Sequence, residues 1–176
     1  IVSKPDMHSG KEAAAYVDAL RTTLLYTGVS DVKMEEGSMR CDVNVSIRPV
    51  GQKELGVKTE IKNLNSIANV MKAVDFEVER QKQILLSGGK VEQETRRFDE
   101  ATKQTVLMRV KNDSVDYKYF TEPNIIPIKL DHEWVLKVIN SIPELPNQRK
   151  ERYMNEYGLN DYDASLLVSE KAVSDY

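Results

Sequence analysis

From Met39 to Ile47 the chain alternates strictly, with apolar Met39, Cys41, Val43, Val45 and Ile47 separated by polar Arg40, Asp42, Asn44 and Ser46. A period of two predicts a half-buried strand, one face oily and the other polar. A second alternating run sets Val57, Thr59 and Ile61 against Lys58, Glu60 and Lys62, with Pro49, Gly51 and Gly56 between the two runs as turn chemistry. Together they predict an antiparallel hairpin symmetric about Gly51. That register places Asp42 opposite Glu60, Asn44 opposite Lys58 and Arg40 opposite Lys62, all on the polar face. A slip of one residue would turn charges onto the apolar face, which counts in favour of this register.

Elsewhere the period is helical. Ser9 and Glu12 form a capping box, and Ala13, Tyr16, Val17, Leu20 and Leu24 then recur at helical spacing until Gly28. This predicts a helix over about residues 10–27. Asn65 and Ser66 can cap a longer helix whose face of Ile67, Val70, Met71, Val74, Val78 and Leu85 runs to Gly88-Gly89. Residues 31–36 offer a short strand. Residues 91–98 and 104–110 offer a second hairpin with 99–103 as its loop, Glu94 and Arg96 sharing one face. An aromatic strand is expected over 116–120. Beyond Pro123 and Pro127 the pattern is helical again, through Trp134, Val135, Val138 and Ile139 and on to residue 173. The expected fold class is α+β. Residues 1–130 would form an antiparallel sheet with helices packed on one face, and residues 131–176 the start of an α-helical domain. A helix laid over the oily side of the first hairpin leaves its polar side free to line a cleft.

Composition narrows the functions. Lys and Arg total 25 and Asp and Glu 28 among 176 residues, a formal charge of −3, and both signs are spread evenly. That is no electrostatic footprint for nucleic acid, so any grip on RNA would lie elsewhere. Cys41 is the only cysteine, which excludes a disulfide framework and a Cys-based zinc site and fits a reducing cytoplasm. On the apolar side of its strand it reads as a buried, inert thiol. His8 has no second histidine at metal-site spacing. No apolar run approaches a membrane span, so a soluble protein is expected. There is no internal repeat, no P-loop and no GxGxxG stretch.

The hairpin carries the candidate chemistry. Directly opposed side chains lie roughly 5 Å apart, and two carboxylates at that distance repel by about 3 kcal/mol at an effective dielectric near 20. Two arrangements relieve the repulsion. One is a bound cation such as Mg²⁺, which shares carboxylate oxygens with phosphates that Lys58 and Arg40 would hold. The other is an ordinary solvated face on which Arg40, Lys58 and Lys62 neutralise Asp42 and Glu60 diagonally.

The strings MEEGSMRCDVNVSIRP, KTEIKNLNS, QETRRFDE and DYKYFTEPN, in that order, resemble the family of B subunits of aspartyl/glutamyl-tRNA(Asn/Gln) amidotransferases. The likeness runs from IVSKPD at the start through IPELP at 142–146 to YDASLL at 162–167. The resemblance implies an ATP-dependent protein that phosphorylates the side-chain carboxylate of Glu-tRNA(Gln) or Asp-tRNA(Asn) and converts it to the amide. The ammonia would come from a glutaminase, the A subunit, and the small C subunit would complete a heterotrimer. On that footing Asp42 and Glu60 are expected as Mg²⁺ ligands, Arg40 and Lys58 as catalytic phosphate contacts, and Ser38 as a further ATP or metal contact. Glu36 is either a third acidic ligand or a surface carboxylate, and Glu94 and Arg96 gain a functional reading from the QETR string. Lys118, Thr121 and Asn124 stand where the family usually has Arg, Pro and Asp. The family is longer on both sides and Ile1 opens on strand-like IVS, so a central fragment, inactive by itself, is expected. The alternative is a non-catalytic scaffold that binds partner proteins or tRNA, its acidic pair part of a salt-bridge network.

Overall fold

The two alternating runs form strands β1 (Cys41–Val45) and β2 (Thr59–Leu64), an antiparallel pair, in a computed structural model that describes residues 1–110 and 120–176. Their register differs from the expected one. Asn44 faces Glu60, Val43 faces Ile61 and Val45 faces Thr59, so the hairpin folds about Gln52 instead of Gly51. This slip of two residues keeps every side chain on its face. Asp42 is therefore diagonal to Glu60 and not opposite it, while Arg40 and Lys58 fall just outside the paired strands. A Cβ at Gly56 would collide with the carbonyl oxygen of Ile47, so only glycine lets the loop arms run side by side beyond the strands. Cys41 pairs with Leu64 across a bulge. The extra β2 residue, Asn63, takes a left-handed φ of 64°, which asparagine tolerates better than most residues.

Before this hairpin comes α1 (Gly10–Thr27). Ser9 Oγ accepts the Glu12 amide at 3.1 Å, and the Glu12 carboxylate reaches back to the His8 amide at 2.6 Å. The expected capping box thus closes one residue early. Residues 34–37 form a turn and not the expected short strand, with Val32 and Met34 buried as its anchors.

After β2, Ser66 caps α2 (Ile67–Leu86) by accepting the Asn69 amide at 3.2 Å. Strands β3 (Glu94–Asp99) and β4 (Gln104–Val110) follow as the second hairpin, its loop held by Asp99 Oδ1 on the amides of Ala101 and Thr102. The sheet order is β1-β2-β3-β4, and β2 runs parallel to β3. The sheet is mostly antiparallel, as expected for this α+β fold. Its central parallel pair needs a crossover, which α2 supplies.

Helix α2 lies across one face of the sheet. Val70, Ala73 and Val74 pack with Val45, Ile61, Leu64 and Phe98, and Ala13 and Val17 of α1 join the same core. One turn further along, the stripe becomes polar. Glu77 and Gln81 are fully buried, while Val78 and Leu85, expected on the apolar face, are 37% and 43% exposed.

The chain falls into two compact units, residues 1–21 with 30–113 and residues 22–29 with 114–176. The first holds the sheet. The second holds α3 (His132–Asn140), α4 (Pro146–Tyr157), α5 (Asp161–Ser169) and α6 (Lys171–Asp175). Asp131 and Asn160 cap α3 and α5 through their side chains, and Gly158 closes α4 with a φ of 68°. In this unit Tyr26 is buried, donates its hydroxyl to Val168 O at 2.9 Å, and carries the Arg149 guanidinium over its ring at 5.1 Å. The aromatic strand expected over 116–120 and the departure at Lys118 lie outside the described residues, except for exposed Phe120.

Candidate active site

The side chains of β2 alternate between two environments. Thr59 and Ile61 face α2, where Gln81 donates to Thr59 Oγ1 at 3.2 Å. Glu60 and Lys62 therefore project from the opposite, open face. There the Lys62 ammonium lies 3.1 Å from Asp42 Oδ2 and 3.5 Å from Glu60 Oε1. The hydrogen bond and charge of Asp42, followed by the charge of Glu60, hold Lys62 above its ordinary 10.5. The two carboxylates that the hairpin pattern singled out are thus brought to one position, and a cation from their own sheet stands in it. Glu60 Oε2 points the other way, toward the Thr95 hydroxyl of β3 at 3.0 Å.

The chemistry of this donor set fits a hard cation. Mg²⁺ is usually held by one or two carboxylates, with water and phosphate oxygens completing its shell. Asp42 and Glu60 supply that number around a point that already accommodates positive charge. Among the described residues no three acidic, His or Cys side chains converge to form a closed cage. Lys62, its side chain 39% exposed, sits on a flexible stem able to yield the position.

The other expected residues surround this point unevenly. Arg40 lines a cleft of about 530 Å³ together with Glu36, Cys41, Asp42, Lys62 and Asn63. Arg40 and Lys58 are exposed, and neither forms an ion pair with another described residue. Ser38 is already engaged, since its hydroxyl accepts the Lys33 amide at 3.0 Å and lies 3.2 Å from Lys33 O. Glu36 pairs with Lys33 at 2.8 Å. Burial first, then the charge of Asp42, push the Cys41 thiol up, which keeps it protonated and unreactive at neutral pH.

Glu94 and Arg96 belong to the face that α2 covers. The fully buried carboxylate of Glu77 accepts from Arg80 at 2.7 and 2.9 Å, from Gln81 at 2.9 Å and from Thr105 at 2.9 Å. Arg96 Nε lies 3.7 Å from Glu77 Oε2, and Arg96 bonds Glu94 at 2.7 Å and Thr105 O at 2.8 Å. Burial pushes Glu77 up, but the hydrogen bonds of Arg80, Gln81 and Thr105 outweigh it and hold the carboxyl below its ordinary 4.5. A buried charge is tolerated only when so paired. One atom in this layer stays unsatisfied by the described residues, Gln81 Oε1.

Pattern reading missed Glu77, Gln81 and Thr95. A signal for the first two exists, because Val70, Ala73, Val74, Glu77 and Gln81 continue one stripe at helical spacing. Thr95 carries none, since its partners come from two neighbouring strands.

Comparison with known proteins bears on the family. A family model described as the GatB/GatE catalytic domain matches residues 1–136. The B subunit of aspartyl/glutamyl-tRNA(Asn/Gln) amidotransferase from Oceanobacillus iheyensis is 57% identical over all 176 residues, that from Lactiplantibacillus plantarum 58%, and that from Staphylococcus epidermidis 56%. The chain spans 37% of the length of each of these curated relatives. With most of its residues under one family model and more than half identical to these relatives throughout, the chain belongs to the GatB/GatE catalytic domain family.

Proposed function

We propose that this chain forms part of the catalytic centre of a tRNA-dependent amidotransferase. The open face of its sheet would help activate the side-chain carboxylate of glutamate on tRNA(Gln), or of aspartate on tRNA(Asn), with ATP. The observation that carries this reading is the convergence of Asp42 and Glu60 on one cationic position of an exposed face, in a chain of this family.

The reaction needs activation because a carboxylate offers ammonia no leaving group. Transfer of the γ-phosphoryl group to a side-chain oxygen, with ADP departing, makes an acyl phosphate. Ammonia then attacks the acyl carbon, the C–O bond to phosphate breaks, and the nitrogen loses a proton to leave the amide. Such transfers depend on positioning and on charge stabilisation at the phosphoryl oxygens. Asp42 and Glu60 are the residues that would hold Mg²⁺, whose contribution is to neutralise phosphate charge. Arg40 and Lys58, exposed and unpaired among the described residues, would take phosphate oxygens. Ser38 joins them only by leaving Lys33. Ammonia would arrive from the glutaminase, or A, subunit, the small C subunit would complete the complex, and misacylated tRNA is the substrate, all in the cytoplasm. Among the described residues no helix is long and apolar enough to cross a membrane.

One observation favours the scaffold reading. Lys62 contacts both carboxylates and relieves their repulsion. Asp42→Asn and Glu60→Gln, made in the full-length protein assembled with its partners, separate the two. Catalysis predicts a loss of about 100-fold or more in ATP-dependent amide formation, with thermal midpoints close to the parent, because exposed ion pairs contribute only about 0–1 kcal/mol. Full activity in both variants, or loss strictly in step with melting, would leave the scaffold.

A further inference from the structure

The open face holds a buried hydroxyl that the roles above do not use. Thr95 lies between Glu94 and Arg96, both engaged on the α2 side, so it belongs to the face of Glu60, its register partner. It is 2% exposed. Its Oγ1 stands 3.0 Å from Glu60 Oε2 and 3.5 Å from Arg109 Nε. The direction of these bonds follows from chemistry. An ionised carboxylate only accepts and a guanidinium only donates, so Thr95 gives its single proton to Glu60 and turns a lone pair to Arg109.

The backbone makes this contact deliberate. Along β3 and β4 the pairs Arg96–Leu107, Arg97–Val106 and Phe98–Thr105 keep one register, which would set Met108 across from Thr95. An irregularity between Thr95 and Arg96 brings Arg109 there instead. The bulge at Asn63 disturbs the other edge, next to Lys62. Bulges re-aim side chains beside functional sites, and here two of them border one row that crosses all four strands, Asp42, Lys62, Glu60, Thr95 and Arg109.

We infer that Thr95 is a positioning residue for Glu60, its hydroxyl tying Oε2 so that Oε1 stays turned toward Lys62 and Asp42. A ligating carboxylate left to rotate presents its oxygen only part of the time, whereas one hydrogen-bonded from behind is fixed. Losing such a support costs about 10- to 100-fold in metal affinity or activity in other sites. The inference rests on the reading of Asp42 and Glu60 as a cation site.

The test uses the full-length protein assembled with its partners and titrates Mg²⁺ alone by calorimetry for the parent, Thr95→Val, Thr95→Ser and Glu60→Gln, with thermal midpoints measured alongside. The half-saturating Mg²⁺ concentration for ATP-dependent turnover is read on the same proteins. Thr95→Val, which keeps the shape and removes the hydroxyl, is expected to weaken Mg²⁺ binding about 10-fold and to raise half-saturation in parallel. Turnover at saturating Mg²⁺ should stay nearer the parent, and Thr95→Ser should restore binding. Thr95→Ala takes the place of the valine variant if that protein melts early. Parent-like binding in Thr95→Val, with binding lost in Glu60→Gln, overturns the positioning role alone. A serine variant as weak as the valine one overturns it too. If Glu60→Gln binds Mg²⁺ like the parent, the cation site falls and the positioning role with it.

Discussion

The two faces of the sheet use the same kinds of residues to opposite ends. Under α2, Glu77, Arg80, Glu94 and Arg96 form a closed set, every charge met by the opposite charge or by an amide or hydroxyl, and Glu77 has no exposure. On the open face Asp42, Lys62 and Glu60 form a looser chain whose side chains are 49%, 39% and 20% exposed. The first set is centred on a carboxylate with no exposure, and its other members are only 12–18% exposed. The second holds opposite charges in contact yet leaves them within reach of solvent and solutes. Charge pairing by itself therefore says nothing about function, and what separates the faces is whether an outside group can still reach the charges.

That contrast is sharpest in stability. Glu77→Ala takes the fully buried partner from Arg80 and Arg96 and leaves both to Glu94 alone, and we expect it to cost about 3 kcal/mol, read as a drop in the denaturant midpoint of the chain. A small change there would mean that water enters beneath α2 and that the two faces are alike.

Acid should act on the same difference with a smaller effect. Glu77 is held below its ordinary 4.5 in the folded chain, so its contribution is complete above about pH 4.5 and is lost as the pH falls through the folded value. Each unit of depression is worth about 1.4 kcal/mol. Unfolding free energy measured from pH 6 down to pH 3 should fall more steeply for the parent than for Glu77→Gln, and equal slopes would place the acid-sensitive carboxylates elsewhere.

The smallest effect is expected on the open face. Lys62→Met removes the cation between Asp42 and Glu60, and we expect it to cost no more than about 1 kcal/mol. The loss should shrink when millimolar Mg²⁺ is added, since a ligand that binds only the folded state stabilises it. A melting curve indifferent to Mg²⁺ would bring the open face closer to the covered one, as a charge network complete in itself.

What the sequence made legible was local. The bounds of α1 and α2 follow from Ser9, Gly28, Ser66 and Gly88, and both hairpins follow from their alternation, because caps and periods are set by neighbours in the chain. The polar face with Asp42 and Glu60 was legible for the same reason. The register was not, since no alternating pattern distinguishes a slip of two. The parallel pairing of β2 with β3 depends on α2 lying across both hairpins. Glu77 and Gln81 look like surface residues because their partners, Thr105 and Val45, are far away in the chain. Thr95 acquires its role only when that parallel pairing exists.

The reach of α2 also has a consequence for how the sheet assembles. Gln81 bonds the carbonyl of Val45 in β1, and Glu77 bonds Thr105 in β4, so one helix touches both outer strands of the four. Each hairpin can close on its own within about 1–10 μs, but the central parallel pair must wait until the chain has returned through the whole of α2 and loop-closure entropy has been met. Docking of the helix is then the step that fixes both edges together. The row from Asp42 to Arg109 needs both outer strands in place, so the open face depends on contacts made on the other side of the sheet as well as on its own.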